Sequence, residues 1–337
     1  MTDPGTTRAR PWGRPHPAVA AVRAAVREVL APLDPGDLVL VACSGGADST
    51  ALADAVRHES GRRSLRAGAV VVDHGLQEGS DAVTATVAER LLALGLDPVE
   101  VVRASTSVGD GGTEAAARTA RYAALDAEAD RLGAALVLLG HTRDDQSEQV
   151  LLGLARGSGA RSLAGMPAAR GRYRRPLLGV TAEQCRQALE AEGLPWWEDP
   201  MNADPTFARV RARRSVAQLE ESLGPGVGAA LARTAAQLRA DADLLDALAA
   251  DATAALGAGP WAADAIAALP EALRTRVWRR LMVAGGAPAG QVSQRHVAAC
   301  DRLVVDWHGQ GAVHAPGRIR VIRSGDQVSI EPVAPVE

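Results

Sequence analysis

Four short apolar runs, each closed by a polar turn and followed by a helical pattern, constrain the fold of this chain more than any other feature. They are residues 37–43 (DLVLVAC), 67–73 (AGAVVVD), 97–102 (DPVEVV) and 135–140 (ALVLLG). Unbroken apolar runs such as the first, second and fourth read as strands buried on both faces, because a strand with one wet face alternates instead, and the third, which carries Glu100, reads simply as a strand. Helical periodicity covers 19–30, 49–58, 81–94, 113–132 and 144–155, with Gly95 closing the third helix and Thr113 capping the fourth. Strands alternating with helices predict a parallel sheet covered on both sides. Ligands of such sheets bind beyond the carboxyl ends of the strands. The residues delivered there are Ser44-Gly45-Gly46-Ala47-Asp48-Ser49 after the first run, Asp73 and His74 after the second, and His141 after the fourth.

The pattern changes beyond Pro176. A helix is expected over 181–192, then a turn-rich segment (PWWEDPMNADP, 195–205), then an Arg-rich helix over 207–223. Gly224-Pro225-Gly226 reads as a linker. Ala- and Leu-rich helical sequence follows to about Cys300, broken near 257–260. The alternating tail, with its Ser324-Gly325-Asp326 turn, reads as a small β-hairpin. The expected organisation is a disordered lead-in (1–18), an α/β domain on a doubly wound parallel sheet (19–222), and a smaller, mainly helical domain ending in the hairpin (223–337).

Several classes are excluded by what the chain lacks. No apolar run approaches the ~18 residues of a membrane span, and the first residues lack the apolar core of a signal peptide. The three cysteines, Cys43, Cys185 and Cys300, are far apart and form no CxxC, so they offer no zinc or iron–sulfur ligand set. That usage fits a reducing cytoplasm, the expected location. All 37 basic residues are Arg. A mechanism needing a protein lysine, the Walker A phosphate loop included, is therefore ruled out. A net charge of −3 does not mark a nucleic-acid binder, but its distribution is uneven. No acid lies between Glu148 and Glu183, where Arg156, Arg161, Arg170, Arg172, Arg174 and Arg175 fall. Arg209, Arg211, Arg213 and Arg214 form a second cluster, and Arg274, Arg276, Arg279 and Arg280 a third. Such patches attract phosphates where net charge does not, although Arg on a helix is often only a solvated face.

The junction after the first strand carries the chemistry. A strand-to-helix turn offers backbone N–H groups and the positive end of the helix dipole. Gly45 and Gly46 let a ligand approach the backbone, and Ser44 and Ser49 offer hydroxyls to phosphate oxygens. Asp48 would repel bare phosphate, so its presence calls for a magnesium ion or a cationic substrate group beside it.

The string SGGADS matches the SGGxDS signature of the PP-loop ATP pyrophosphatase superfamily. Further strings follow in order: VDHGLQEGSDA (72–82), EAAARTARYAAL (114–125), LGHTRDDQSEQVLLGLARGSGARSLAGM (139–166), RPLL (175–178) and EDPMNADPTFARVRAR (198–213). Together they resemble the tRNA(Ile)-lysidine synthetase family, strongly over 39–214 and weakly elsewhere. The resemblance implies a Rossmann-like PP-loop domain and ATP with Mg2+. It also implies a tRNA(Ile) bearing a CAU anticodon and free L-lysine as substrates. The C2 carbonyl of the wobble cytidine would be adenylated, and lysine would then displace AMP.

Roles follow on the same footing. Ser44, Gly45, Gly46, Ala47, Asp48, Ser49, Asp73 and His74 would hold ATP. Asp48, Asp145 and Glu148 would hold lysine or magnesium, with Asp48 and Asp145 as the metal candidates. His141 would contact the adenylate, and Arg118 would stabilise its phosphate. Arg161, Arg175, Arg209 and Arg213 would meet the tRNA. The acids at 144, 145 and 148 also suit the first turn of a helix on dipole grounds alone, and Arg118 could simply pair with Glu114. Trp196 and Trp197 could stack on a base or pack at a domain edge. Val210 stands where the family usually has Asn. A sulfur-inserting enzyme would need clustered cysteines, and a small-molecule synthetase would leave the Arg-rich middle without a purpose. Nothing in the sequence fixes the oligomeric state, a homodimer included.

Overall fold

The computed structural model describes residues 14–73, 75, 79–104, 113–157 and 159–333. The chain divides into two compact units, Met1–Ala236 and Gln237–Glu337. The first unit runs α1 (Pro17–Leu30), β1 (Leu38–Ala42), α2 (Ala47–Gly61), β2 (Arg66–Asp73), α3 (Ser80–Leu94), β3 (Val99–Arg103), α4 (Thr113–Leu132) and β4 (Leu136–Leu139). It continues with α5 (Arg143–Ala155), α6 (Gly159–Leu163), β5 (Ala169–Arg170), β6 (Tyr173–Arg174), α7 (Ala182–Glu192) and α8 (Ala208–Leu223). The helix α1 starts inside the stretch expected as lead-in, and residues 1–13 lie outside those described.

The sheet has the order β3-β2-β1-β4-β6-β5. All neighbours are parallel except β5, which runs antiparallel on β6. Because side chains alternate along a strand, β1 divides cleanly. Val39 and Val41 join one core with Leu52 and Val56 of α2, Val26 of α1 and Leu189 of α7. Leu38, Leu40 and Ala42 join the other, under Leu125 and Ala129 of α4. Burial on both faces is why the run carries no polar alternation. The β5–β6 pair was not foreseen, since strands of two residues have no readable period.

Helix ends are set locally. Thr142 and Asp145 form a capping box on α5, and Thr181 and Gln184 do so on α7. Gly95 and Gly193 end α3 and α7 in the left-handed conformation. Glu59, 1% exposed, is held by two 2.8 Å hydrogen bonds from Arg27, which ties α2 to α1. The expected linker at 224–226 is a braced turn, in which Glu220 accepts from the N–H groups of Gly226 and Gly228. The units part later, within α9 (Val227–Leu256).

The second unit continues with β7 (Trp261–Ala262), α10 (Ala263–Ala267), α11 (Glu271–Ala284), α12 (Gln294–Val305), β8 (Val313–Ala315), β9 (Ile319–Ser324) and β10 (Gln327–Pro332). The expected hairpin is β9–β10, and it sits in a four-stranded antiparallel sheet of order β7-β10-β9-β8. This unit corrects the expectation for the third Arg cluster. Arg274 donates to both oxygens of Asp301 (2.6 and 3.1 Å), which also accepts from the buried Trp278 indole. Arg276 pairs with Asp246, and Arg279 donates to the carbonyls of Val292 and Ala289. These three guanidiniums hold the unit together instead of facing a partner. Among the described residues, no helix is long and apolar enough to cross a membrane.

One glycine marks the tightest packing of the sheet. A Cβ on Gly68 of β2 would lie 2.6 Å from the Pro98 carbonyl oxygen and 2.9 Å from Leu40 Cδ2. Gly68→Ala should therefore cost about 1–3 kcal/mol. Urea unfolding followed by circular dichroism checks this, and an unchanged midpoint would contradict it.

Candidate active site

The order β3-β2-β1-β4 places a topological switch point between β1 and β4. The loop after β1 opens there. Gly45 has φ +83°, and a Cβ on it would collide with Val87. Ser49 anchors the loop: its hydroxyl accepts from Ser44 N–H (3.2 Å) and donates to the Gly46 carbonyl (3.0 Å). Thr50 donates to the Gly45 carbonyl, and so does the backbone N–H of Trp197 at 2.9 Å. Ala47 opens α2, whose N-cap Gly46 supplies no side-chain cap, so the first N–H groups remain open to an anion. Across the switch point, a Cβ on Gly140 would sit 3.0 Å from Ser49 N and Cα. Only glycine lets the end of β4 lie against this helix start.

A cleft opens beside the loop. Its walls include Val72, Val83 and Met201, its polar groups include Ser44, Asp73 and Arg121, and Trp197 stands at its edge. Apolar walls with few polar groups suit a flat base. Asp73 is buried and accepts from Gly75 N–H at 2.8 Å. His74 lies outside the described residues. Of the two tryptophans, Trp196 packs on the core and Trp197 lines the cleft.

Carboxylates gather on one side. Asp145 accepts from Thr142 N–H (2.7 Å), and Asp144 accepts from Ala182 N–H (2.7 Å), so both brace helix starts. Glu148 is 2% exposed, with Oε1 accepting from Arg213 Nε at 2.7 Å. Its Oε2 and Asp48 Oδ1 are buried with no hydrogen-bond partner. Burial pushes the Asp48 carboxyl up to about 6, the charge of Asp145 adds to this, and a hydrogen bond from the Cys185 thiol opposes it. Burial also raises Glu148, against the pull of Arg213. Buried acids with unused oxygens form a site that a cation would relieve. Among the described residues no three His, Cys, Asp or Glu side chains group as metal ligands.

Guanidiniums gather on the other side. Burial, followed by the charges of Arg175, Arg121, Arg209 and Arg118, lowers His141 to about 3, so the ring is neutral. Its Nδ1 is buried and unpartnered. Arg121 and Arg209 make no hydrogen bond or ion pair among the described residues, and Arg121 feels the charge of Arg209. Arg118 is exposed and lies 5.1 Å above the Tyr122 ring, with a 3.4 Å hydrogen bond to its hydroxyl. Arg175 requires a correction. It is 4% exposed and donates to the Pro167 carbonyl and the Tyr122 hydroxyl, so it faces inward and not toward a surface phosphate. Arg161 is exposed on α6. Val210 is buried at the start of α8. Arg121 was missed in the sequence. It stands one turn beyond Arg118, on a helix whose Leu125 and Ala129 face the sheet, and that spacing was the available signal.

The fold and loop define a PP-loop protein: the family model described as a PP-loop domain matches residues 20–220. A chain of Thermobifida fusca (strain YX) called tRNA(Ile)-lysidine synthase is 55% identical over 320 residues, covering 94% of this chain and 98% of that one. The protein of the same name from Streptomyces coelicolor is 51% identical, covering 94% and 99%. This chain belongs to the tRNA(Ile)-lysidine synthase family. Among solved structures, the U34-tRNA thiolase NcsA from Methanococcus maripaludis, described with its [4Fe-4S] cluster, aligns with a TM-score of 0.57 at 16% identity, over 66% of this chain and 80% of that one. At that identity the likeness is one of fold alone.

The raised Asp48 carboxyl has a pH consequence. The folded chain holds this proton up to about pH 6, whereas an unfolded Asp releases it near ~4. Charging Asp48 therefore destabilises the ligand-free fold above pH 6, and that cost vanishes as pH falls toward 4. Asp48→Asn should stabilise the ligand-free protein by on the order of 1 kcal/mol at pH 7.5 and by nothing near pH 4. Thermal melts of both proteins across that range test it, and a pH-independent difference would refute the burial argument.

Proposed function

We propose that this chain joins L-lysine to C2 of the wobble cytidine of a tRNA(Ile) bearing a CAU anticodon, consuming ATP and releasing AMP and pyrophosphate. The observation that supports it best is unspent charge of both signs near the loop after β1. Asp48 and Glu148 each keep a buried carboxylate oxygen with no hydrogen-bond partner, and the guanidiniums of Arg121 and Arg209 are unpaired among the described residues. The reaction needs both: it consumes a polyanion, ATP, and takes in an amine, lysine.

In the first step the C2 oxygen attacks the α-phosphorus and pyrophosphate leaves. In the second the amine attacks C2 and AMP leaves. Ser44, Ser49 and the open N–H groups of α2 bind the leaving pyrophosphate, and Asp73 and the cleft walls orient the adenosine. Arg118, Arg121 and Arg209 stabilise charge on the transferred phosphate, where bidentate guanidinium donors are effective. The neutral His141 acts as a hydrogen-bonding group on the adenylate and not as an acid. Glu148 holds the ammonium of lysine, and a neighbouring carboxylate takes the proton the amine must lose. Magnesium arriving with ATP would neutralise phosphate charge. Asp48, with its unpartnered Oδ1, and Asp145 are the residues that fit it, with phosphates and water supplying the other ligands.

The tRNA would be gripped by Arg161, Arg209 and Arg213, and by the second unit. There Arg280, Arg295, Arg302 and Arg318 are exposed and make no ion pair among the described residues. Arg295 and Arg302 lie two turns apart on α12 and so share a face.

Transfer of labelled lysine to an unmodified tRNA(Ile) transcript with a CAU anticodon tests the proposal. Incorporation should require ATP and magnesium, fall at least ~100-fold in Asp48→Ala, and vanish when the wobble base is changed. RNA-dependent AMP release without lysine incorporation would leave adenylation standing but replace the nucleophile. No AMP from folded protein would overturn the function.

A further inference from the structure

The two charge sets meet at one contact, between Glu148 of α5 and Arg213 of α8. Glu148 is buried to 2% exposure, while the Arg213 side chain is 53% exposed. The contact uses Arg213 Nε alone, at 2.7 Å, and leaves Glu148 Oε2 buried without a partner. A cavity adjoins it, with Glu148, Arg213, Asp144 and Ser147 at one side and Val216 and Ala217 along its wall. The acids of that cavity other than Glu148 are already committed, Asp144 to the start of α7 and Glu220 to the turn at 226–228. Glu148 keeps a buried oxygen with no partner beside this cavity, and Arg213 stands on its other oxygen.

We propose that Arg213 is a positioning residue that reserves the amine subsite until RNA binds. In the RNA-free chain its guanidinium stands where the ammonium of the incoming lysine would stand. A phosphate of the RNA draws the guanidinium away and frees Glu148. This rests on the function proposed above. Three features of the structure favour the exchange. The mobile partner is the exposed one, so its release needs no opening of the core. Its helix bears Arg209, Arg211, Arg213 and Arg214 before its first acid, Glu220, so the face that swings outward is one a phosphate backbone seeks. Arg209, one turn earlier, is already unpartnered.

A competitor that occupies a subsite about nine-tenths of the time weakens apparent affinity ~10-fold. RNA that removes the competitor restores it, and lysine must strengthen RNA binding by the same factor. The test is equilibrium dialysis of labelled L-lysine with the full chain, with and without the CAU transcript and without ATP. The wild-type protein should bind lysine ~10-fold more tightly with RNA. Arg213→Gln should bind lysine tightly without RNA and gain nothing from it. Arg213→Lys, which keeps a cation on Glu148, should behave like wild type. Lysine affinity in Arg213→Gln that is unchanged or weakened, in protein that melts cooperatively, would overturn the proposal, as would equal wild-type affinity with and without RNA. Glu148→Gln separates this from the underlying reading. If it abolishes lysine binding while Arg213→Gln behaves as wild type, the reservation fails and the amine site stands. If lysine binds Glu148→Gln undiminished, the amine site itself is wrong and the reservation falls with it.

Discussion

Everything at the carboxyl end of the sheet depends on keeping two charges apart. Acids on α2 and α5 and arginines on α4, on α8 and just after β6 lie within reach of one another's charge. A protein under no other demand would let them neutralise one another as ion pairs. Here they are held back by geometry: Arg175 is turned onto Tyr122 and Pro167, while Asp144 and Asp145 are turned onto helix starts. What remains unpaired among the described residues is one oxygen each of Asp48 and Glu148, and the guanidiniums of Arg121 and Arg209. Unspent charge of both signs is destabilising in a protein without ligands, and on the function proposed above it would receive an amine and a polyphosphate together.

The scaffold that holds this arrangement is built from close approaches. Gly140 brings the end of β4 against Ser49, and Gly45 passes Val87 where no side chain fits. Around them the two cores on either face of β1 fix the sheet. The loop between is then defined by hydrogen bonds to Ser49 and not by packing, so its N–H groups stay available.

Much of the fold was legible because it rests on burial, and burial leaves a pattern. The unbroken run at 37–43 could only be a strand covered on both faces, and the helix stop at Gly95 follows from the left-handed conformation it adopts. The loop was legible for a related reason: glycines and hydroxyls at a strand-to-helix junction have few structural uses. Arginine was the opposite case. In a chain whose basic residues are all Arg, set among 40 acids, the sequence does not tell a guanidinium that clamps Asp301 from one that awaits a phosphate. Arg274 and Arg175 looked available and are engaged, whereas Arg121 drew no notice and is open. That information lies in long-range pairing, which a local pattern does not carry.

The hydrogen bond from Trp197 to Gly45 joins residues far apart in the sequence. The wall of the cleft therefore comes from both ends of the first unit: Ser44 and Asp73 are made early, Trp197, Asp199 and Met201 late. A chain emerging from the ribosome would have its central strands complete after β4, with the cleft still lacking one side. On the role proposed for the cleft, nucleotide affinity is withheld from the nascent protein until the segment after α7 has emerged and folded back.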